Sequence, residues 1–211
     1  MTTGTCYLQF YIEYILAAQK RYAAPGRKLP LCIMTSVDTN DATVALLKRN
    51  NNFGMEASQI TIVQQGQGVP ALLDNEARIA HKSKSEWFTL QTKPHGHGDI
   101  HSLMHMNGVA KKWLNSGTKW MVLFQDTNGL AFHSLPLMLG VSKRLGFVMN
   151  SMAVPRKAKQ AVGGIALLTK SRTGEKRYVP CSVWIATEHV HRNARTTSKN
   201  SPHHFRSIKI S

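Results

Sequence analysis

Residues 29–35 read LPLCIMT, a short apolar run that predicts a buried strand of a parallel sheet. Asp38 or Thr39 is then expected to cap a helix that runs to Lys48, and residues 50–54 (NNNFG) end it. Residues 60–65 (ITIVQQ) predict a second strand. A strand, a helix and a strand with short links indicate a βαβ unit, in which both strands run parallel.

The same alternation continues along the chain. Residues 119–125 (KWMVLFQ) are the clearest predicted strand, and the turn-forming residues 126–129 (DTNG) follow it. Helices are expected at residues 5–22, 102–115 and 132–145, a turn at 66–68, and further strands at 147–154 and 165–168. This order predicts an α/β fold with a mixed, mostly parallel sheet.

Polar residues follow several of the predicted strands. Thr35 and Ser36 end the first strand, Gln65 ends the second, and Asp126 to Asn128 follow the strand at 119–125. In open α/β sheets, ligands bind outside the carboxyl ends of the strands. We therefore expect these side chains to share one ligand site.

Residues 91–101 (QTKPHGHGDIH) hold three histidines and two glycines directly before a helical pattern. Gly96 and Gly98 allow close approach of the backbone to a ligand, and His97 between them can form hydrogen bonds. The following helix offers a positive N-terminal end. The stretch predicts a site for a phosphate-bearing ligand; the alternative is a glycine turn in which Asp99 caps the helix.

Asp126 is a candidate ligand for a divalent cation. Mg²⁺ takes few protein ligands and keeps several waters, so one carboxylate at a strand end is sufficient beside phosphate oxygens. The alternative is that Asp126 only shapes the turn, because Asp-Thr-Asn-Gly is favourable turn chemistry.

Zinc chemistry is not favoured. His101 and His105 have the spacing of a zinc motif, but Ser102 stands where HExxH has its glutamate. Cys181, His189 and His191 match no standard spacing. Residues 155–159 (PRKAK), followed by Gly163 and Gly164, suit either phosphate and sugar contacts or a solvated loop.

The composition limits the class of protein. The net charge is +16, but the basic residues form no helix with interleaved aromatics, so nucleic-acid binding is not favoured. No apolar run approaches the ~18 residues of a membrane span. Three widely spaced cysteines without a CxxC motif favour a reducing, cytoplasmic setting.

The chain changes character beyond Lys170. Residues 171–211 hold eight Lys or Arg against two Glu, and their hydrophobic periodicity is lost. We expect a divergent basic tail there, disordered over residues 186–211.

Five segments together resemble the UDP-sugar pyrophosphorylases, relatives of UDP-glucose pyrophosphorylase. They are residues 3–9 (TGTCYLQ), 33–36 (IMTS), 91–102 (QTKPHGHGDIHS), 124–130 (FQDTNGL) and 153–164 (AVPRKAKQAVGG). The resemblance implies a Rossmann-like nucleotide-diphospho-sugar transferase core, with residues 1–170 forming part of its catalytic domain. It also implies synthesis of a UDP-sugar and pyrophosphate from UTP and a sugar 1-phosphate, with Mg²⁺, by in-line attack on the α-phosphorus.

The resemblance also implies roles for individual residues. Asp126 is expected to hold Mg²⁺ and, with His97, to form the catalytic set. Gln65 is expected at the uracil edge, and the two glycines of residues 163–164 next to the sugar. The implied substrate-binding residues are Gln65, Gly96, His97, Asn128, Gly163 and Gly164.

The chain also departs from the family pattern. Family members carry a Gly-rich loop that grips the UTP phosphates, which would precede Met1, and an acidic strand where this chain has residues 176–181 (KRYVPC). We therefore expect an incomplete catalytic domain, or a gene model with a lost start and an altered end. The alternatives are an inactive sugar-nucleotide-binding or scaffold protein and a basic nucleic-acid-associated protein.

Overall fold

A computed structural model describes residues 4–69, 79–82, 85, 88–152, 164–170, 173–181 and 205–210. The chain divides into two compact units, residues 1–150 and 151–211. The first unit contains a parallel strand pair, a short antiparallel pair and five α-helices within its described residues. The second contains a three-stranded antiparallel sheet. The predicted boundary at residue 170 was drawn from the extent of the resembling motifs, and it stays a prediction.

Helix α1 spans Tyr7–Tyr22. Its N-cap is Cys6, whose Sγ accepts a hydrogen bond from the Gln9 amide at 3.4 Å. Its C-cap is Ala23, two residues before Pro25. Tyr11 and Ile12 are its buried residues, so the helix presents one apolar face to the core, as its sequence periodicity predicted.

The predicted βαβ unit is present. Strand β1 (Leu31–Thr35) pairs in parallel with β2 (Ile60–Gln64), and helix α2 (Val37–Arg49) connects them. The predicted cap of α2 was wrong. The N-cap is Ser36. The Thr39 hydroxyl accepts a hydrogen bond from the Ser36 backbone amide at 3.0 Å, as part of a capping box.

Both faces of the parallel pair are covered. One cluster joins Ile12 of α1, Leu31 of β1 and Leu47 of α2 with Met55. The opposite cluster joins Val63 of β2 to two further helices, α3 (Asp99–Met106) and α4 (Val109–Asn115). Alternate residues of β1 point to opposite clusters, with Ile33 on the first and Cys32 and Met34 on the second. This double burial explains the continuous apolar run.

Two predicted elements have different boundaries. The helix expected over residues 102–115 is two helices, α3 and α4, because Gly108 at φ 68° breaks the helical path between them. The turn expected at residues 66–68 contains a two-residue strand, β3 (Gln67–Gly68), which pairs antiparallel with β4 (Lys93–Pro94).

The clearest strand prediction, residues 119–125, was wrong. These residues form no regular element, although helix α5 (Ala131–Leu145) follows as expected, with Pro136 inside it. The side chains of residues 120–123 are 38–50% exposed. A strand needs a neighbour that completes its hydrogen bonds, and no described residue pairs with this segment. Residues 147–152 likewise form no strand, and 153–154 lie outside the described residues.

The second unit is built around β5 (Gly164–Lys170), which includes the strand predicted at residues 165–168. It pairs antiparallel with β6 (Lys176–Cys181) and β7 (Phe205–Ile210). Disorder was therefore the wrong prediction for residues 205–210, and the interval 182–204 lies outside the described residues. The average composition of the tail hid a short alternating segment (FRSIKI) that can pair once β5 offers an edge.

Candidate functional site

The carboxyl ends of β1 and β2 are joined directly. The backbone amide of Gln65 donates to the carbonyl oxygen of Thr35 at 2.8 Å. Thr35 and Ser36 are buried at this edge, whereas Gln64 is exposed. The edge therefore has an ordered base from which the Gln65 side chain projects.

Gln65 contacts the glycine-rich stretch. Its Oε1 accepts a hydrogen bond from the Gly96 amide at 3.2 Å. Gly96 has φ 141°, a backbone conformation that favours glycine. The contact joins two predicted substrate-binding residues that lie 31 positions apart. The Gln65 side chain also carries an NH₂ group with two donors, which suits it to a carbonyl-bearing ligand.

His95 and Asp99 brace this stretch. Nδ1 of His95 lies 3.0 Å from Oδ2 of Asp99, one turn further on. Asp99 is the first residue of α3, and the N-cap is Gly98, so the alternative in which Asp99 caps the helix was wrong. Its carboxylate instead orients the imidazole that precedes Gly96.

His97 reaches the predicted metal loop through Gln125. Nε2 of Gln125 lies 3.4 Å from Nδ1 of His97. An amide nitrogen can only donate, so Nδ1 accepts and Nε2 of the neutral imidazole carries the proton. His97 can therefore offer an N–H donor to a phosphate oxygen.

Asp126 has an exposed carboxylate and an anchored backbone. The Tyr11 hydroxyl donates to the Asp126 carbonyl oxygen at 2.5 Å. Burial, followed by the negative charges of Asp126 and Tyr7, raises the pKa of Tyr11 above its ordinary value of 10.0. Asn128 closes the turn, since its amide donates to Gln125 O at 3.0 Å. The loop thus combines turn geometry with an accessible carboxylate.

An aromatic cluster holds this loop against α1 and α5. The ring centroids of Tyr11 and Phe124 lie 5.1 Å apart, and those of Phe124 and Phe132 lie 4.9 Å apart. Tyr14 stacks on Phe132 at 4.4 Å and donates its hydroxyl hydrogen to the Phe132 carbonyl. Packed rings fix the backbone on both sides of Asp126 more firmly than a surface turn would.

Comparisons with known proteins show the family of the chain. The family described as UTP–glucose-1-phosphate uridylyltransferase matches residues 1–177. The chain belongs to this family. UDP-sugar pyrophosphorylases of Oryza sativa and Arabidopsis thaliana are 50% identical to it over 173 residues, which is 80% of this chain and 28% of each relative. The UDP-N-acetylglucosamine pyrophosphorylase of Saccharomyces cerevisiae is 28% identical over 75% of this chain and 32% of its own length.

Solved structures share the α/β fold of this uridylyltransferase family member. A protein from Entamoeba histolytica described as a UDP-N-acetylglucosamine pyrophosphorylase superposes with a TM-score of 0.61 at 19% identity. The match covers 95% of this chain and 47% of the other. A mutant of UDP-glucose pyrophosphorylase from Leishmania major, solved with UDP-glucose, superposes with a TM-score of 0.55 at 14% identity. That match covers 84% of this chain and 37% of the other.

The structure brings together some predicted residues of the family member and leaves others apart. Gln65, Gly96, His97 and Gln125 form one connected group, joined by the Gly96–Gln65 and Gln125–His97 hydrogen bonds, and Asp126 follows Gln125 in the chain. Gly164 begins β5 in the second unit, while Gly163 and residues 155–159 lie outside the described residues. Among the described residues, no three His, Cys, Asp or Glu side chains cluster as a metal site.

Sequence reasoning missed Gln125 and Tyr11. Gln125 was assigned to a predicted strand. Its position directly before Asp126 was the signal that could have marked it as a site residue. Tyr11 lies 115 residues before Asp126, and only its position on the buried face of α1 pointed to a packing role. Within the described residues, no helix has the length and apolar character that crossing a membrane requires.

Tyr11→Phe is expected to loosen the Asp126 loop. Loss of the hydrogen bond should lower the free energy of unfolding by about 1 kcal/mol. Because the pKa of Tyr11 is raised, its stabilising contribution is complete below pH 10 and decreases as the pH rises above that value. Denaturant unfolding from pH 8 to 11 should therefore show a smaller loss of stability in the variant.

Tyr14→Phe is the matched control for this substitution, since it also removes one hydroxyl-to-carbonyl bond. It should destabilise by a similar amount at pH 8, yet leave the NMR shifts of residues 125–128 unchanged. Equal shifts in those amides for both variants would contradict the anchoring role of Tyr11.

Gln125→Met is expected to release the tautomer of His97. Methionine keeps the side-chain length but removes the donor to Nδ1. Imidazole ¹⁵N shifts should move from the Nε2–H form toward a mixture, as expected when one hydrogen bond is lost. Gln9→Met, which removes an exposed bond to Glu13 on α1, should leave these shifts unchanged.

Proposed function

We propose that this chain carries part of a uridylyltransferase site that binds UTP and a sugar 1-phosphate and forms a UDP-sugar and pyrophosphate. The observation that carries the proposal is the connected group of Gln65, Gly96, His97 and Gln125 beside Asp126 at the carboxyl edge of the sheet. Family membership supports the same chemistry. The chain spans 28% of the length of its 50%-identical relatives, so the reaction is proposed for the catalytic assembly of which these residues are a part.

In the proposed reaction, an oxygen of the sugar phosphate bonds to the α-phosphorus of UTP while the bond to the β-phosphate breaks. Gln65 contributes its amide to the uracil edge, which matches the donor and acceptor pattern of that base. His97 directs its Nε2–H at a phosphate oxygen. These residues accelerate the reaction by positioning the reactants and stabilising charge, without forming a covalent bond.

Asp126 is the proposed Mg²⁺ ligand. Its exposed carboxylate, on a backbone anchored by Tyr11, fits a cation that takes one or two carboxylates together with phosphate oxygens and waters. When bound, Mg²⁺ neutralises phosphate charge and helps to align the phosphates for displacement. Asn128, in the same turn, is proposed to contact the substrate nearby.

The sugar side of the site is proposed to involve Gly163 and Gly164, where the absence of side chains permits close approach. A cytoplasmic location is also part of the proposal. Cys6 and Cys32 are free thiols, which suits a reducing compartment.

The test is pyrophosphate release by the purified chain from UTP and a panel of sugar 1-phosphates with Mg²⁺, with UDP-glucose binding measured in parallel. Turnover, or saturable UDP-glucose binding without turnover, supports the proposed site. His97→Asn should abolish most of either signal. His133→Asn, an exposed histidine on α5, is the matched control and should leave both unchanged.

Two outcomes would contradict the proposal. One is a folded chain that neither turns over nor binds UDP-glucose. The other is binding that His97→Asn and His133→Asn weaken equally, since that would indicate a diffuse surface effect.

A further inference from the structure

We infer that the chain has a second binding site, at the amino ends of β1 and β2, for a small phosphate-bearing molecule. A cavity of about 250 Å³ lies there, next to Pro30 before β1 and Gln59 before β2. The proposed uridylyltransferase residues lie at the other end of these strands. Because β2 has five residues, the two edges are about 17 Å apart.

The cavity is positively charged. Arg27, Lys28 and Lys112 line it. Lys28 is paired with the carboxylate of Glu56, and the hydrogen bond between them lowers the pKa of that carboxyl group. Arg27 and Lys112 form no ion pair with any described carboxylate, so two cations are available to an anion.

The Arg27 guanidinium is held near the end of α4. A Cβ built on Gly117 would lie 3.3 Å from Nη2 of Arg27, so the glycine leaves room for this side chain. A guanidinium presents a planar fork of N–H donors that matches two phosphate oxygens. Lys112, on α4, adds a second positive charge to the same cavity.

Gln59 contributes a buried amide to the lining of this cavity. Its side chain is only 4% exposed. Its Nε2 donates to Gln19 Oε1 at 2.9 Å and to Leu29 O at 2.7 Å, which uses both of its N–H groups. No described residue donates to its Oε1. A buried acceptor without a donor is unfavourable, and a hydroxyl of a bound molecule would satisfy it.

The remaining lining residues define the size and chemistry of the ligand. Trp113 offers an aromatic surface, and Ser116 a hydroxyl group. A cavity of about 250 Å³ is below the usual range for drug-sized ligands, so it fits a monosaccharide phosphate or free phosphate. Both share the phosphate group that Arg27 and Lys112 would bind.

The experiment follows the indole ¹⁵N–H signal of Trp113 in the full chain, assigned through Trp113→Phe. The probes are glucose 6-phosphate, inorganic phosphate and glucose at constant ionic strength. We expect a saturable shift with both phosphates and none with glucose. Tighter binding of glucose 6-phosphate would identify a sugar phosphate as the ligand, and equal binding would identify free phosphate.

The combined Arg27→Gln and Lys112→Gln variant should weaken phosphate binding at least tenfold. Lys111→Gln is the control, because Lys111 is the exposed neighbour of Lys112 on α4 and does not line the cavity. It should change the affinity less than twofold. The proposal of a second site would be overturned if phosphate caused no shift of the Trp113 signal. It would also be overturned if Lys111→Gln lost as much phosphate affinity as the combined Arg27 and Lys112 variant. His97→Asn should leave the Trp113 signal unchanged. A failure of the second site can therefore be told apart from a failure of the proposed uridylyltransferase function.

Discussion

Asp126→Asn is expected to reduce Mg²⁺-dependent UTP turnover by roughly 100-fold, equivalent to about 3 kcal/mol of transition-state stabilisation. The amide keeps the size of the side chain but removes the charge that would hold the cation. If the chain binds UTP without turnover, the measured quantity is the gain in UTP affinity on adding Mg²⁺. This gain should be lost in Asp126→Asn. The comparison is made at limiting Mg²⁺, where ligand loss has its largest effect.

The stability of this variant should change little. Tyr11 bonds to the Asp126 backbone, which the substitution leaves intact, and surface substitutions usually change stability by less than about 0.5 kcal/mol. Asp38→Asn, which removes an acidic charge from the first turn of α2, is the matched control and should not alter Mg²⁺ dependence. Unchanged kinetics of Asp126→Asn at limiting Mg²⁺ would refute the metal role.

Gly68→Ala is expected to displace His95 and, with it, the glycine-rich stretch. A Cβ at Gly68 would clash with the ring of His95, so the ring must move and its contact with Asp99 is disturbed. Because the His95 side chain is 53% exposed and can turn toward solvent, we expect a loss of less than about 1 kcal/mol in the free energy of unfolding. UTP affinity should fall about tenfold, because Gly96 and His97 follow His95 directly.

Gly66→Ala is the matched control for this prediction. The added methyl group at Gly66 meets no atom within 4 Å, and the position is only two residues away. Its unfolding free energy and UTP affinity should stay close to those of the parent chain. If Gly68→Ala gave the same unfolding curve and the same His95 NMR signals as Gly66→Ala, the steric role of Gly68 would be wrong.

The local elements were predictable where the apolar pattern is supported by nearby residues. Helix α1, strand β1 and strand β2 lie close to where their sequences predicted, because each contributes apolar residues to a shared cluster. Residues 119–125 have an equally strong pattern but form no strand. Their apolar character favours burial, but residues 120–123 remain 38–50% exposed, and a strand also needs a neighbour that completes its backbone hydrogen bonds.

The site residues stay a prediction, and the sequence anticipated only part of their placement. The rule that ligands bind at the carboxyl ends of parallel strands applies to Gln65, which follows β2 and accepts a hydrogen bond from Gly96, but not to Asp126, because residues 119–125 form no strand. The bonds of His97 to Gln125 and of Tyr11 to Asp126 could not be predicted. They depend on side-chain directions in segments 28 and 115 positions apart.

For this protein, the order of residues alone specified the βαβ unit, the glycine-rich stretch and the motifs of the uridylyltransferase family. The sequence signals that specify these features are local, since periodicity, capping and glycine conformation act over a few neighbouring residues. The packing of the folded chain decided the partner of each polar group, the failure of residues 119–125 to form a strand, and the cationic cavity between Arg27 and Lys112. These features arise from contacts between distant segments, which no short stretch of sequence specifies.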